Sequence, residues 1–156
     1  MIKKDTRVAV LGAGAMGCLF GGLLAEKGLE VVLIDVWKEH VDEINKKGLK
    51  MMGHGGDRIV KIKATTEPKK LGKYDAIIIM CKATALENAL SNAKNIIGDN
   101  TLLMSFQNGI GHEEIMQNIA GKEKVLGGST TQASSIQGPG ILSLIHISEP
   151  TRQASI

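Results

Sequence analysis

Val8-Ala9-Val10-Leu11-Gly12-Ala13-Gly14-Ala15-Met16-Gly17 is an apolar run broken by three glycines spaced G-x-G-x-x-G, after which the apolar pattern resumes as Cys18-Leu19-Phe20. A run of this kind reads as a buried strand, a tight turn and the start of a helix. Each glycine has a separate task. Gly12 permits the turn off the strand, Gly14 lets the backbone approach a pyrophosphate, and Gly17 lets helix and strand pack closely. The turn aims the free N–H groups of the helix at phosphate, so Gly12, Ala13, Gly14, Ala15, Met16 and Gly17 are candidate cofactor-binding residues for a dinucleotide.

From Ala15 to Lys27 the apolar residues Met16, Leu19, Phe20, Leu23 and Leu24 recur at helical spacing, and Gly28 stands where a C-terminal cap belongs. Gly21 and Gly22 inside this helix cost about 1 kcal/mol each relative to alanine, which close packing on a sheet would offset. Val31-Val32-Leu33-Ile34 is then a buried parallel strand ending on Asp35. An acidic side chain about twenty residues beyond the first glycine accepts hydrogen bonds from the adenosine ribose hydroxyls and repels a 2'-phosphate, which points to NADH. Asp35 can equally cap the next helix, whose stripe is Trp37, Val41 and Ile44, and both roles can hold together. Lys38 keeps NADPH open.

Leu49 to Ala64 departs from strand–helix alternation: Leu49-Lys50-Met51-Met52 and Ile59 to Ala64 flank Gly53-His54-Gly55-Gly56-Asp57, the pattern of a small inserted β-hairpin. Beyond a turn at Pro68 come a strand from Asp75 to Met80, a helix with Leu86, Ala89, Leu90, Ala93 and Ile97 on its apolar stripe, and a strand from Thr101 to Phe106. A short helix near Glu113 to Ile119 and a strand near Lys124 to Gly127 follow. The fold class is α/β and Rossmann-like: a mainly parallel sheet with right-handed crossovers, helices on both faces and an inserted hairpin.

Length and composition narrow the function. The 156 residues suit one domain, and one Trp, one Tyr and two Phe make for an aliphatic core. A net charge of +3 with scattered lysines supplies no basic stripe, so nucleic acid is not an expected partner. No apolar run is long enough to span a bilayer, and the N-terminus lacks an apolar signal segment, so no membrane partner and a cytoplasmic location are expected. Cys18 and Cys81 are too few for a disulfide framework and sit in apolar contexts that suit buried thiols rather than nucleophiles.

In an open parallel sheet, ligands lie beyond the carboxyl ends of the strands. Three candidates stand there. Lys82 could bring a positive charge to a nicotinamide ribose or an anionic substrate, or be a solvated loop lysine. Gln107-Asn108-Gly109 offers amide donors and acceptors to a carboxamide or hydroxyl, although Asn-Gly is also a common turn dipeptide. Gly127 to Gln132 is a small polar stretch able to line a cleft. His112-Glu113 opens a metalloprotease-like pattern, but Met116 occupies the place of the second histidine; no histidine has metal-ligand spacing with the cysteines and no G-x-S-x-G is present, so no metal site and no serine chemistry are expected.

Gly12 to Gly17, Cys81-Lys82-Ala83, Gln107-Asn108-Gly109-Ile110-Gly111 and Gln137-Gly138-Pro139-Gly140 together resemble the first domain of the ketopantoate reductase (2-dehydropantoate 2-reductase) family, over about Thr6 to Gly140. The resemblance implies reduction of a 2-keto acid, ketopantoate, to the 2-hydroxy acid pantoate by a nicotinamide hydride, in pantothenate biosynthesis. It implies cofactor contacts for Lys82, Gln107 and Asn108, with Lys82 and Asn108 supporting catalysis and Asn108 near the reacting carbonyl. Two departures qualify it. The family prefers NADPH and carries a basic residue where Asp35 stands, and its main catalytic lysine belongs to a second, helical domain.

Leu142 to Arg152 resembles an in-frame translation of a transposase-type sequencing-library adaptor, with index sequence in Gln153 to Ile156. The expected organisation is therefore a dinucleotide-binding domain over 1–141 and a foreign tail over 142–156, the helical domain being absent and reductase activity lost with it. A genuine strand over Ile141 to Ile147 is the alternative, compatible with the β-friendly composition. Exposed apolar surface left by a missing domain would favour self-association, so a homo-oligomer is also an expectation. Two rival functions stand beside the reductase: a non-catalytic nucleotide-sensing module, and the cofactor domain of another hydroxy-acid or sugar-acid dehydrogenase.

Overall fold

The computed structural model describes residues 3–106 and 111–145. In chain order its elements are β1 (Arg7–Leu11), α1 (Ala15–Glu26), β2 (Glu30–Ile34), α2 (Lys38–Lys47), β3 (Leu49–Gly53), β4 (Arg58–Val60), β5 (Lys63–Thr65), β6 (Tyr74–Ile79), α3 (Ala83–Asn92), β7 (Ile97–Ser105), α4 (His112–Ala120), β8 (Val125–Gly127), β9 (Ala133–Gly138) and β10 (Ile141–Ile145), with short 3-10 turns between some of them. Six strands make one parallel sheet in the order β5-β2-β1-β6-β7-β8. The chain steps outward from β1 to β2 to β5, then returns to the other side of β1 as β6. That reversal opens a crevice at the carboxyl ends of β1 and β6, the ligand position of a doubly wound sheet.

The central strands are apolar without alternation because both their faces are buried. Val8 and Val10 join one core, completed by Leu19 of α1 and Val41 and Ile44 of α2; Ala9 and Leu11 face the other, completed by Leu86 and Leu90 of α3 and Met116 of α4. Each fully buried leucine or isoleucine contributes about 1.5–3 kcal/mol. Helices thus cover both faces, as expected. The two interior glycines of α1 are explained by the same packing: a Cβ at Gly21 would lie 2.5 Å from Leu33 Cδ2, and one at Gly22 would lie 2.7 Å from Met51 Sδ.

The insertion is larger than a hairpin. β3 and β4 pair antiparallel as expected, but β10 joins β3 in parallel and β9 in antiparallel fashion, giving a second sheet of order β4-β3-β10-β9. The expected strand from Ile59 to Ala64 divides at Lys61-Ile62: its first half completes the hairpin and its second half, β5, is the edge of the main sheet. Ile97 opens β7 instead of closing the preceding helical stripe, because Lys94–Ile96 form a 3-10 turn that ends it. Ile141–Ile145 adopt the strand conformation that their composition allows, with Leu142 fully buried in the first core.

Candidate active site

The glycine turn sits at the crevice. Gly12 has φ 103°, donates its N–H to Ile34 O at 2.8 Å, and leaves no room for a side chain: a Cβ there would come within 2.6 Å of the Cys81 backbone nitrogen. At Gly17 a Cβ would overlap the Gly12 carbonyl oxygen. Gly14 differs from both, since among the described residues nothing beyond its own chain neighbours lies within 4 Å of where its Cβ would be. Internal packing does not require glycine there, and the backbone is left bare toward solvent. Gly14 is also the N-cap of α1, whose first turn carries neither an acidic residue nor a side-chain cap. Its leading N–H groups therefore lack side-chain acceptors, the condition for binding an anion.

The Ala13 backbone, in the middle of this turn, is held through both of its flanking peptides. Its N–H donates to Asp35 Oδ2 at 2.7 Å, and its carbonyl accepts from His40 Nε2 at 2.8 Å and from the Cys18 thiol at 3.2 Å. Asp35 Oδ1 accepts the Trp37 N–H at 2.9 Å. Asp35 thus binds the residue preceding α2 instead of the first turn of that helix, which has no side-chain cap, and it lies against the glycine turn. His40, one of the histidines without metal-ligand spacing, is completely buried and stacks on the Trp37 indole at 4.7 Å. Its periodicity on α2 could have suggested burial; its reach to Ala13 could not have been read from the chain.

Two clefts flank the turn. One, of about 530 Å³, is lined by Gly12, Asp35, Cys81 and, from the turn after β5, Pro68, Lys69 and Lys70. The other, of about 420 Å³, is lined by Met16, Met80, Lys82, Phe106, His112 and Gln132. The glycine turn, Ala15, Met16, Gly17 and Asp35 are brought together, and Lys82 stands on the far side as the exposed N-cap of α3. Gln132, from the polar stretch singled out in the sequence, reaches the same cleft, as does Thr130. Gln107 and Asn108 lie outside the described residues. Pro68 to Lys70 were legible only as a turn, because nothing local shows which strand end a turn will border.

Burial pushes the Cys18 thiol up from 9.0 to about 12, with the Asp35 charge adding to the effect, and burial raises Cys81 as well. Both thiols are protonated near neutrality, which agrees with their reading as non-nucleophilic. His112 is 6% exposed and its Nδ1 has no hydrogen-bond partner among the described residues. Among the described residues no group of His, Cys, Asp and Glu is arranged to hold a metal ion, and no helix is long and apolar enough to cross a membrane.

Comparison with known proteins agrees with this geometry. The 2-dehydropantoate 2-reductase of Pyrococcus abyssi is 42% identical over 137 residues, covering 87% of this chain and 43% of the relative. Among solved structures, a protein described as a putative 2-dehydropantoate 2-reductase from Enterococcus faecalis superimposes with a TM-score of 0.84 at 30% identity, over 90% of this chain and 46% of that one. D-mandelate dehydrogenase in a ternary structure with NADH and anilino(oxo)acetate gives 0.86 at 31% identity, over 96% and 51%. The chain spans less than half the length of the curated relatives it matches. The family described as ketopantoate reductase PanE/ApbA matches residues 8–151, and the chain belongs to that family.

Proposed function

We propose that this chain is the dinucleotide-binding part of a 2-keto-acid reductase of the 2-dehydropantoate 2-reductase type, using a nicotinamide cofactor. The carrying observation is the hydrogen bond from Ala13 N–H to Asp35 Oδ2, which fixes a carboxylate beside a phosphate turn whose middle glycine is bare. The residues present fit the dinucleotide. The α1 N-terminus faces the pyrophosphate, with Gly12, Ala13, Gly14, Ala15, Met16 and Gly17 shaping the approach. Asp35 receives the adenosine ribose hydroxyls, since each of its oxygens keeps a lone pair beyond the backbone bond it already accepts. When bound, the cofactor supplies a hydride to the carbonyl carbon of the keto acid.

Lys82 places a cation in the opposite cleft, where it orients the nicotinamide ribose or an acid carboxylate. Gln107 and Asn108 belong with it in this reading, holding the carboxamide and the reacting carbonyl. Asp35 disfavours a 2'-phosphate, and Lys38, the residue that would favour one, is paired with Asp42 at 2.6 Å; NADH is the proposed partner. In this reading a proton donor for the developing alkoxide comes from a further domain, and these 156 residues alone bind cofactor without efficient turnover. Sequencing the codons for Gly140 to Ile156 from an independent template tests whether residues 142–156 are foreign.

The test is calorimetric titration of NADH and NADPH into the chain, with a turnover assay on ketopantoate and other 2-keto acids. Binding of NADH in preference to NADPH is expected, without turnover. Absence of binding would refute the cofactor assignment, and efficient ketopantoate reduction would refute the need for a further domain. The D-mandelate dehydrogenase likeness motivates the wider acid panel, to be run on a chain joined to its helical domain.

A further inference from the structure

We propose that His40 is a positioning residue of the phosphate turn, aiming its N–H donors from the buried side; the proposal rests on the dinucleotide reading above. The proton inventory of the ring gives the direction of each bond. Gly140 N–H donates to His40 Nδ1 at 2.8 Å, so Nδ1 must present its lone pair. The ring proton of the neutral imidazole is therefore on Nε2, which donates to the Ala13 carbonyl at 2.8 Å. Both ring nitrogens are used, the ring is fully buried, and Trp37 stacks over it.

Peptide planarity converts this anchor into a statement about the ligand side. In a trans peptide the C=O and the following N–H point in opposite directions. With the Ala13 carbonyl drawn inward by His40 and Cys18, the Gly14 N–H is turned outward, where none of the other described residues crowds the missing Cβ. The next peptide but one is treated alike: Ser134 Oγ, on β9, donates to Ala15 O at 2.9 Å, which orients the Met16 N–H. Gly140 and Ser134 both belong to the β9–β10 hairpin. The hairpin thus reaches the Ala15 carbonyl directly through Ser134 and the Ala13 carbonyl through His40, and its role extends beyond covering α1.

Titration of NADH into wild-type protein, His40→Leu, His40→Gln and Val41→Ala tests this. Val41 is a buried neighbour on α2 that does not touch the turn in any hydrogen bond, so its variant reports general loosening. His40→Leu should weaken NADH about tenfold, while His40→Gln, which keeps a donor and an acceptor, should stay within about threefold of wild type. Val41→Ala should lower Tm yet bind normally. Long-range 15N spectra should show Nδ1 of His40 unprotonated, with the Gly14 amide shifted in His40→Leu. Unchanged affinity in folded His40→Leu, an equal loss in Val41→Ala, or a protonated Nδ1 in the neutral ring would overturn the proposal. Should His40→Leu not fold, Ser134→Ala decides: a loss of about threefold with a displaced Met16 amide supports the brace, and neither change refutes it. If the wild-type chain does not bind NADH, all variants read alike and the dinucleotide reading falls, taking the proposal with it.

Discussion

The two sides of the crevice are built differently. On the Asp35 side the backbone of one residue, Ala13, is held through its two flanking peptides, the N–H by a carboxylate and the carbonyl by an imidazole and a thiol, and the groups holding it are buried or half-buried. On the Lys82 side the cation is exposed and shares its cleft with a buried His112, and among the described residues the cation has no ion pair and His112 Nδ1 no hydrogen-bond partner. The first side is organised by the chain's own hydrogen bonds before any ligand arrives. The second is walled by packed side chains, Phe106 stacked on Phe20 and Met16 against Ser134, but its cation is held by no ion pair among the described residues. In the proposed reading the first side holds the adenosine end of the cofactor and the second meets the nicotinamide ribose and the acid.

Substitutions can break this contrast. The largest effect is expected at Gly17→Ala, where the added carbon meets the Gly12 carbonyl, a backbone atom that cannot swing aside. A loss of about 3 kcal/mol in a denaturant titration is expected, together with loss of NADH binding. A loss below about 1 kcal/mol would mean that the turn is looser than the geometry implies. Asp35→Ala comes next: two backbone N–H groups lose a charged acceptor, and stability should fall by about 2 kcal/mol. The same variant should bind NADPH better relative to NADH, and an unchanged ratio would remove Asp35 from the cofactor assignment.

The thiol beside the turn makes a smaller and pH-dependent contribution. Folded Cys18 keeps its proton until about pH 12, whereas the unfolded thiol releases it near 9.0. The folded state then binds more protons than the unfolded state between these values, so the contribution is complete below 9 and declines as pH rises toward 12. The difference in stability between wild type and Cys18→Ala should shrink by about 1 kcal/mol from pH 8 to pH 10. A flat difference would indicate that the thiol is wetter than its burial implies. The smallest stability effect is expected at Lys82→Met, within about 0.5 kcal/mol of wild type, with NADH or acid binding weakened severalfold. A large stability loss there would erase the contrast between the two sides.

Local chemistry made part of this legible. Strand, turn and helix at Val8 to Gly17 follow from apolar periodicity and from backbone that only glycine tolerates, and both are properties of adjacent residues. Asp35 was legible by its distance along the chain from Gly12, because a strand–helix–strand unit has a nearly constant length. The division of Ile59 to Ala64 between two sheets was not, since the same short β-prone run pairs equally well with either available edge. Nor was β9, whose Ala133-Ser134-Ser135 start carries little hydrophobic signal and becomes a strand through pairing with β10. His112 looked like half of a metal motif, whereas its burial depends on how α4 docks.

What the sequence by itself determined is the family, the parallel sheet and the position of the phosphate turn, because these rest on short-range steric rules and on residues close together in the chain. What only the tertiary structure decided is how that turn is held. His40, Ser134 and Gly140 come from separate elements, and Gly140 lies 100 positions from His40. A hydrogen bond reaches about 3 Å, so no local pattern records it, and it exists only once both sheets have packed around α1.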